Sequence, residues 1–537
     1  MLWFRNKCQG LVIISLVLVL LTVLSILFSR ELLPKMNRNQ VKAQNNNLPI
    51  FPGAEGFGTN TRAAYGNPAQ NPVILKVTNL NDSGLGSLRA ALMDTRPRVV
   101  IFEVGGIIWL QSDITITNPY VTIAGQTAPS PGVTMAHYTF RIKTHDVLVQ
   151  HLYFRFGNKT GLNGFAINGR TDGSDETFNI VVDHCSISWA PDKNLIIWTS
   201  TDNLPVGAVG AHDITVTDTI IAESLLDPAT ETGYHHMGFL IGDHSKRISV
   251  IRNLMAHNQR RNPTPFGNTS TIIANNLVYN PGNGAIHFQD HEVKNGALFS
   301  STVGNVIIPG VDTYDAYWCN PNSACKPICV YNNVANGTKI YLYDNEAPGR
   351  TNDPWSVARD DSQCSHDFKA LVPPIWLENL TVLPSSQVKE YVLANAGARP
   401  WDRDEVDKRI VNDVINGTGR IIDSQNDVNS PRGSGDFGWP KNSRGPTYHQ
   451  LTTPKNPHQD DNQNGYANLE DWLYSFTSSH CSPLGDIDCS GKVNALDFGH
   501  LVRYWGLDSL PAANLDDTGV VNREDALILL GNYGKSN

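Results

Sequence analysis

Residues 248–253 read Ile-Ser-Val-Ile-Arg-Asn, and this short β-branched phrase, closed by a polar turn, recurs along the middle of the chain. The apolar phrases stand at 147–149, 180–182, 214–216, 248–250, 272–273 and 328–330. Short strands separated by turns, without amphipathic helices between them, are typical of a stacked parallel coil. Asn253, Asn276 and Asn333 follow three of the phrases at one offset, which suits amides that stack from coil to coil. The sequence therefore predicts an all-β fold, a right-handed parallel β-helix.

Length and composition predict three parts in the 537-residue chain. Residues 1–43 are predicted to be a signal peptide or membrane anchor with a linker, residues 44–480 the β-helix domain, and residues 481–537 a small α-helical domain with calcium loops. The net charge of −9 argues against a nucleic-acid partner. A polyanionic substrate would therefore need local arginines or bound cations.

The N-terminus has Arg5 and Lys7 ahead of an unbroken apolar run over 11–28, which is the order of a secretory signal. The run is also long enough to span a bilayer as a helix. The side chains at 41–43 are small or of modest size, which suits a cleavage site for signal peptidase. The sequence predicts export and leaves cleavage and anchoring as alternatives.

The chain has eight cysteines, and four of them fall in one region: Cys319, Cys325, Cys329 and Cys364. This crowding predicts a disulfide-stapled insertion in an oxidising compartment, with a zinc site as the alternative. Cys481 and Cys489 are placed to pair across the start of a calcium loop. Cys185 is predicted to be a buried small hydrophobe.

The last sixty residues carry one calcium-loop pattern twice, each with a Gly at its sixth position. Oxygen-bearing side chains alternate around a tight turn, because a hard cation needs six to eight converging oxygens. Positions 1, 3, 5, 7, 9 and 12 are Asp486, Asp488, Ser490, Lys492, Asn494 and Asp497 in the first loop, and Asn514, Asp516, Thr518, Val520, Asn522 and Asp525 in the second. The duplicated loops resemble a type I dockerin, which implies a cohesin as partner.

A third loop of the same pattern precedes the C-terminal pair. Its positions 1, 3, 5 and 12 are Asp460, Asn462, Asn464 and Asp471. We interpret it as a structural calcium site that closes the β-helix domain.

Several phrases, in order, resemble the pectate lyases of polysaccharide lyase family one. They are FPGAEGFG at 51–58, VTNLNDSGLGSLR at 77–89, VTIAGQT at 121–127, DHCSISW at 183–189, AGARP at 396–400 and NGTGRIID at 416–423. The resemblance implies a secreted, calcium-dependent lyase that acts on an acidic plant or algal polysaccharide, a galacturonan. In that family calcium neutralises the C6 carboxylate, a basic group removes the C5 proton, and the glycosidic oxygen leaves.

The resemblance assigns catalysis to Arg261, which stands in the family's Arg-x-Pro context with Pro263. An arginine normally stays protonated, so Arg261 acts either as the base or as a fixed charge that stabilises the developing carbanion. Arg260 is assigned to substrate binding. A solvated turn pair is the alternative interpretation of both arginines.

The family's calcium ligands carry over to Asp192, Asp183 and Asn163, and two of these positions depart from the pattern. Asn163 stands where the family has an Asp, and Lys193 follows Asp192 where the family often has Glu. These changes lower the expected affinity for calcium or imply an ion supplied with the substrate. Asp183 alternatively caps a turn beside a buried histidine.

The family's substrate-binding Lys is absent, and His235 and His236 stand in its region as candidate substrate-binding residues. Two other classes stay open. A polygalacturonase-type hydrolase needs two acidic residues at the scissile bond, and the adjacent aspartates at 360–361 are the candidate pair. A non-catalytic β-helical adhesin or glycan-binding protein would explain the missing basic groups.

Overall fold

The structure is a computed structural model that describes residues 48–157, 163–169, 176–199, 209–225, 236–290, 296–314, 318–319, 325–360, 367–427, 446–478, 493, 495–503 and 523–534. The chain divides into two compact units, Met1–Asn47 and Leu48–Asn537. The predicted signal or anchor lies outside the described residues. Within the described ranges, no helix combines the length and hydropathy needed to cross a membrane.

Three sheets of stacked strands build the second unit, and the chain visits each sheet once per coil. The first sheet contains Val73–Val77, Arg98–Phe102, Val121–Ala124, Val147–Gln150, Phe178–Asp183, His212–Thr217, Lys246–Ile251, Ser270–Ala274, Phe299–Val303 and Lys339–Tyr343. The second contains Val104–Trp109, Val133–Ala136, Tyr153–Arg155, Ser186–Ser188, Ile220–Ala222, Leu254–Ala256, Leu277–Tyr279 and Val306–Ile308, with Thr447–Tyr448 antiparallel at one edge. The third contains Ile114–Ile116, Phe140–Ile142, Asn163–Asn168, Lys193–Trp198, Met237–Ile241 and Thr264–Pro265. All other pairings are parallel, which confirms the predicted parallel β-helix.

The third sheet continues beyond Thr264–Pro265 into a smaller parallel sheet. That sheet contains Ile286–Phe288, Ile328–Val330 and Ala358–Asp360. The amide of His287 donates to the carbonyl of Pro263 at 3.2 Å and so joins the two.

The predicted phrases stack in register in the first sheet. Val182 pairs with Val216, Val216 with Val250, and Val250 with Ile273, and all four side chains are fully buried. β-Branched side chains suit this position because they pack well on a pleated surface. The phrase at 328–330 belongs instead to the continuation of the third sheet.

Buried asparagines form a ladder at the turn after the first sheet. Asn253 Nδ2 donates to Asn276 Oδ1, Asn276 to Asn305, and Asn305 to Asn345, each at 2.9 Å. Asn253 and Asn276 were predicted to stack. Asn333 was predicted as well, and that prediction is wrong, because it follows a strand of another sheet and bonds to the carbonyl of Asp290.

We expect Asn276→Ala to lower the free energy of unfolding by about 1–3 kcal/mol, because it leaves buried partners on both sides of the ladder unpaired. Urea unfolding measures the change. Asn416→Ala is the control, since its amide bonds only to a carbonyl on an exposed helix end. Equal stability of the two variants would contradict a structural role for the ladder.

The described residues also contain seven helices. They are Leu88–Leu92, Val311–Tyr314, Ser385–Asn395, Glu405–Asn416, Asn468–Ser478, Ala495–Arg503 and Arg523–Asn532, with short 3-10 turns at Ala63–Gly66, Gly125–Thr127 and Gln425–Asp427. Val392 and Ile410, from two of these helices, pack with Ile220, Leu254 and Leu277 of the second sheet. These helices therefore cover a sheet face that would otherwise be exposed and apolar.

A buried ion-pair network fastens the helix Glu405–Asn416 to the second sheet. Nη2 of Arg155 donates to Asp407 at 2.6 Å and to Asp404 at 3.2 Å, and none of the Arg155 side chain is exposed. Asp407 also accepts a hydrogen bond from Ser186, whose hydroxyl in turn accepts from the Ala398 amide at 2.8 Å. The network joins residues that are far apart in sequence.

The cysteine-rich region contains a disulfide between Cys319 and Cys325. Cys185 is fully buried in the core, and burial raises the pKa of its thiol, in line with the predicted inert hydrophobe. Among the described residues, the one cluster of potential metal ligands contains no cysteine. Cys364, Cys481 and Cys489 lie outside the described residues.

Candidate active site

A groove of about 530 Å³ runs along the outer face of the third sheet. Among the described residues of its lining, four are cations and none is acidic. The lining is Arg141, Lys143, Asn163, Ala166, Asn168, Gly169, Lys193, Ile196, Trp198, Leu240, Arg261 and Phe266. Such a lining attracts an anionic ligand.

Strand register brings these residues together from separate coils. Arg141 pairs with Ala166, Ala166 with Ile196, and Ile196 with Leu240 across the third sheet. Side chains alternate along a strand, so this row shares one face of the sheet. Arg141 and Trp198 were not among the predicted site residues. No strand was predicted at either position, and only the register of the third sheet brings the two side chains to the groove.

Arg261 enters the groove from a constrained turn before Thr264–Pro265. Its φ is +64°, and its carbonyl accepts from the Phe239 amide at 2.5 Å. The guanidinium lies over the Phe266 ring, 5.4 Å from its centre. Burial and the charge of Arg260 together lower the pKa of Arg261 to about 10, against the opposite effect of Asp192.

Further cations surround Arg261. Burial, together with the charges of Arg359, Arg260 and Arg261, lowers the pKa of the fully buried His287 to about 3. His287 therefore stays neutral at physiological pH, because protonation would add a positive charge to a cluster of arginines. Arg260, Arg261 and Arg359 therefore place positive charge around His287.

Asp192 and Lys193 form an ion pair at the start of a third-sheet strand. The Lys193 ammonium contacts the Asp192 carboxylate, and the two side chains are 15% and 9% exposed. Lys193 pairs in register with Asn163, whose Oδ1 is buried without a hydrogen-bond partner among the described residues. Burial lowers the pKa of Lys193, and the positive charges of Arg261 and Arg260 lower it as well. The negative charge of Asp192 acts in the opposite direction.

This donor set does not fit the calcium ion that the family resemblance implies at this place. Calcium sites collect several carboxylates, whereas here one carboxylate is already paired with an ammonium and the neighbouring amide is neutral. Arg260 and Arg261 add positive charge at the same position. Asn163 and Asp192 are brought near Arg261, but without the negative charge that calcium requires.

Asp183 lies in a different cavity, of about 230 Å³, at the end of a first-sheet strand. It joins His151 and His184 in the one described cluster of three ligand-type side chains, with ligand atoms within 4.8 Å of one another. Asp183 accepts from His184 Nδ1 at 2.7 Å and from Gln150 at 2.7 Å. Two imidazoles suit a transition metal better than calcium. Asp183 and Asp192 therefore line separate sites.

The other predicted substrate-binding residues are not in the groove lining. His236 is buried, and its Nε2 lies within hydrogen-bond distance of Asp423 Oδ1, at 3.0 Å. Arg260 acts on the groove through its charge, and its carbonyl accepts from Gly238 at 3.0 Å. His235 lies outside the described residues, as does residue 361 of the acidic pair proposed for a hydrolase.

The loop 460–471 is folded around its predicted ligands. Asp460 accepts from the amides of Asn464 and Gly465 at 3.1 and 2.8 Å. Asp471 accepts from the side chains of Asn462 and Asn464 at 3.1 and 3.0 Å. The four predicted side chains therefore belong to one hydrogen-bonded loop, and each carries an oxygen of the kind that calcium binds.

The two C-terminal loops lie largely outside the described residues. Helices Ala495–Arg503 and Arg523–Asn532 follow them, in agreement with the predicted helical segments, and Asp525 is buried. The side chains of the remaining predicted ligands are outside the described residues: Asp486, Asp488, Ser490, Lys492, Asn494, Asp497, Asn514, Asp516, Thr518, Val520 and Asn522.

Fold and groove together define a parallel β-helix protein with a cationic cleft. A probable pectate lyase C of Emericella nidulans is 31% identical over 385 residues, which cover 71% of this chain and 79% of that protein. The chain therefore belongs to the pectate lyase family. No family model matches the sequence.

Other relatives match a shorter part. A probable pectate lyase C of Aspergillus fumigatus is 36% identical over 267 residues, half of this chain and 56% of the relative. The chain thus spans little more than half the length of that relative.

The solved structures that match are more distant in sequence. Jun a 1, the major allergen from cedar pollen, superposes with a TM-score of 0.46 at 16% identity, over 67% of this chain and 97% of the allergen. A mutant pectate lyase of Bacillus subtilis superposes with a TM-score of 0.42 at 14% identity, over 67% of this chain and 99% of the lyase.

Proposed function

We propose that this chain is a secreted polysaccharide lyase that cleaves pectate, a polygalacturonan, by β-elimination. The observation that carries the proposal is the groove of the third sheet, whose described lining contains four cations, Arg261 among them, and no acid. Each galacturonate unit carries one carboxylate, so a polymer of them matches a row of fixed positive charges. Trp198, which is partly exposed, adds apolar area on which a sugar ring can lie.

The proposed reaction is one proton transfer with one bond cleavage. Arg261 takes the proton from C5, the C–H electron pair forms the C4–C5 double bond, and the C4–O bond breaks with its electrons on the glycosidic oxygen. That oxygen takes a proton from solvent. The groove cations stabilise the charge that develops on the C6 carboxylate as C5 loses its proton.

A neutral guanidine is accessible at this site because burial and Arg260 lower the pKa of Arg261 to about 10. At pH 8 roughly one molecule in a hundred then carries the free base, against only about one in thirty thousand at the usual arginine pKa. This favours Arg261 as the base over a purely electrostatic role.

We expect kcat to rise about tenfold per pH unit from pH 7 towards pH 10, because the neutral fraction of Arg261 grows until the pH reaches its pKa of about 10. Initial rates on polygalacturonate across this range measure the effect, with circular dichroism to show that the fold persists. A flat profile would assign Arg261 the electrostatic role instead.

The reaction class is tested by the product. Polygalacturonate incubated with the full chain should gain ultraviolet absorbance from the conjugated double bond. A hydrolase yields only new reducing ends, and it needs two acids across the scissile bond, which the described lining of the groove lacks. Binding of the polymer without either product would favour the glycan-binding alternative.

We also propose that the loop 460–471 holds a structural calcium ion through Asp460, Asn462, Asn464 and Asp471. We expect calcium to raise the melting temperature by several degrees, because the ion binds the folded loop and not the unfolded chain. Asp471→Ala should abolish that increase. Asp353→Ala, in an exposed turn, is the control. An unchanged calcium effect in Asp471→Ala would contradict the site.

Residues 481–537 are proposed to bind a cohesin, on the strength of the duplicated calcium loops in the sequence. Calcium titration of a 481–537 peptide, followed by circular dichroism and then by cohesin pull-down, tests this proposal. A spectrum that calcium leaves unchanged would exclude it. Export is proposed from the order of charges and apolar residues at the N-terminus.

A further inference from the structure

We propose that the ammonium of Lys193, and not a calcium ion, neutralises the substrate carboxylate in the groove, so that elimination needs no divalent cation there. The inference rests on the proposed lyase function and departs from the calcium dependence that the family resemblance implies. It concerns the groove alone and leaves the proposed calcium loops unaffected.

The first observation is the position of the ammonium. Lys193 lines the same groove as Arg261, and its side chain is 15% exposed, so the charge is held at the groove wall rather than in bulk solvent. The Asp192 carboxylate contacts this ammonium and fixes its place. An ammonium has three donors, so Lys193 can pair with Asp192 and still donate to a substrate carboxylate.

The second observation is the charge balance around Asp192. A calcium ion bound to Asp192 would lie beside Lys193, with Arg260 and Arg261 close enough to influence the same ammonium. One carboxylate would then face the two charges of the ion and three cationic side chains. Calcium affinity grows with the number of carboxylates in a site, so this arrangement disfavours the ion strongly.

The third observation is the lack of further acidic ligands. Asn163, the register partner of Lys193, brings a neutral amide where a second carboxylate would be needed. Among the described residues, Asp192 belongs to no group of three acidic, histidine or cysteine ligands. The buried Oδ1 of Asn163 has no hydrogen-bond partner among the described residues, so it can accept a hydrogen bond from a substrate hydroxyl.

The decisive measurement counts calcium ions, since the loops elsewhere are also proposed to bind them. Wild type and Asp192→Asn, equilibrated with calcium and analysed for bound metal, should hold the same number of ions per chain. Lys193→Glu should hold one more, because two adjacent carboxylates then flank the site. Lys389→Glu, on an exposed helix face, is the matched control and should gain none. One ion fewer in Asp192→Asn than in wild type would overturn the inference.

Activity supplies the second readout, on polygalacturonate freed of metal. Wild type should form unsaturated product at the same rate with and without chelator, and Lys193→Ala should lose about a hundredfold in kcat. Product that appears only with calcium, from a chain that stays folded in chelator, would refute the role of Lys193 and leave the lyase function intact. No unsaturated product under either condition would instead refute the lyase function.

Discussion

Arg261→Ala should lower kcat on polygalacturonate by about a hundredfold or more, the loss found when a preorganised catalytic group is removed. The variant loses both the base and the positive charge beside the carbanion. The guanidinium stacks on Phe266 at 5.4 Å, so the truncation also opens space against that ring. Initial rates from ultraviolet absorbance, with the melting temperature as a check on folding, measure the loss.

Arg261→Lys tests what the guanidinium supplies beyond charge. An ammonium keeps a cation but loses the planar fork and the stacking on Phe266, so we expect most of the activity to be lost here too. Arg96→Ala is the matched control, because Arg96 forms an exposed ion pair with Asp94 away from the groove. Near-normal activity of Arg261→Ala with an intact fold would show that this site assignment is wrong.

Asp407→Ala should lower the free energy of unfolding by about 3–5 kcal/mol, because it leaves the fully buried Arg155 without its 2.6 Å partner. Asp404 cannot fully replace it. Burial raises the pKa of the Asp404 carboxyl, against the charge of Arg155, and that carboxylate already caps the helix by accepting from the Asp407 amide at 2.7 Å. Urea unfolding followed by circular dichroism measures the change.

Glu405→Ala is the control for this prediction, since Glu405 stands in the same helical turn with an exposed side chain. Its loss should cost less than about 1 kcal/mol. Replacing both partners, as Arg155→Met with Asp407→Leu, should recover part of the stability, because no charge is then left unpaired. A small effect of Asp407→Ala would mean that water reaches Arg155.

The sequence by itself determined the stacked strands and the family. β-Branched phrases such as 180–182 and 214–216 are local signals, and burial on a pleated sheet follows from them directly. The prediction of a calcium loop at 460–471 also rests on a local signal, because calcium-loop ligands alternate within twelve residues. The prediction that Arg261 is catalytic likewise rests on the residues around it in the chain.

Tertiary structure decided which residues meet. Arg141, Lys193 and Arg261 line one groove because their strands stack in a register that the lengths of the intervening loops set. The same register placed Asn305 and Asn345 in the ladder in place of Asn333.

The contact of Lys193 with Asp192, and the separation of Asp183 from both, likewise required the fold. The network of Arg155 joins residues 252 positions apart in the chain. Local sequence carries the alternation of side chains along each strand, whereas the charge balance of a site depends on neighbours contributed by other coils, which no local pattern encodes.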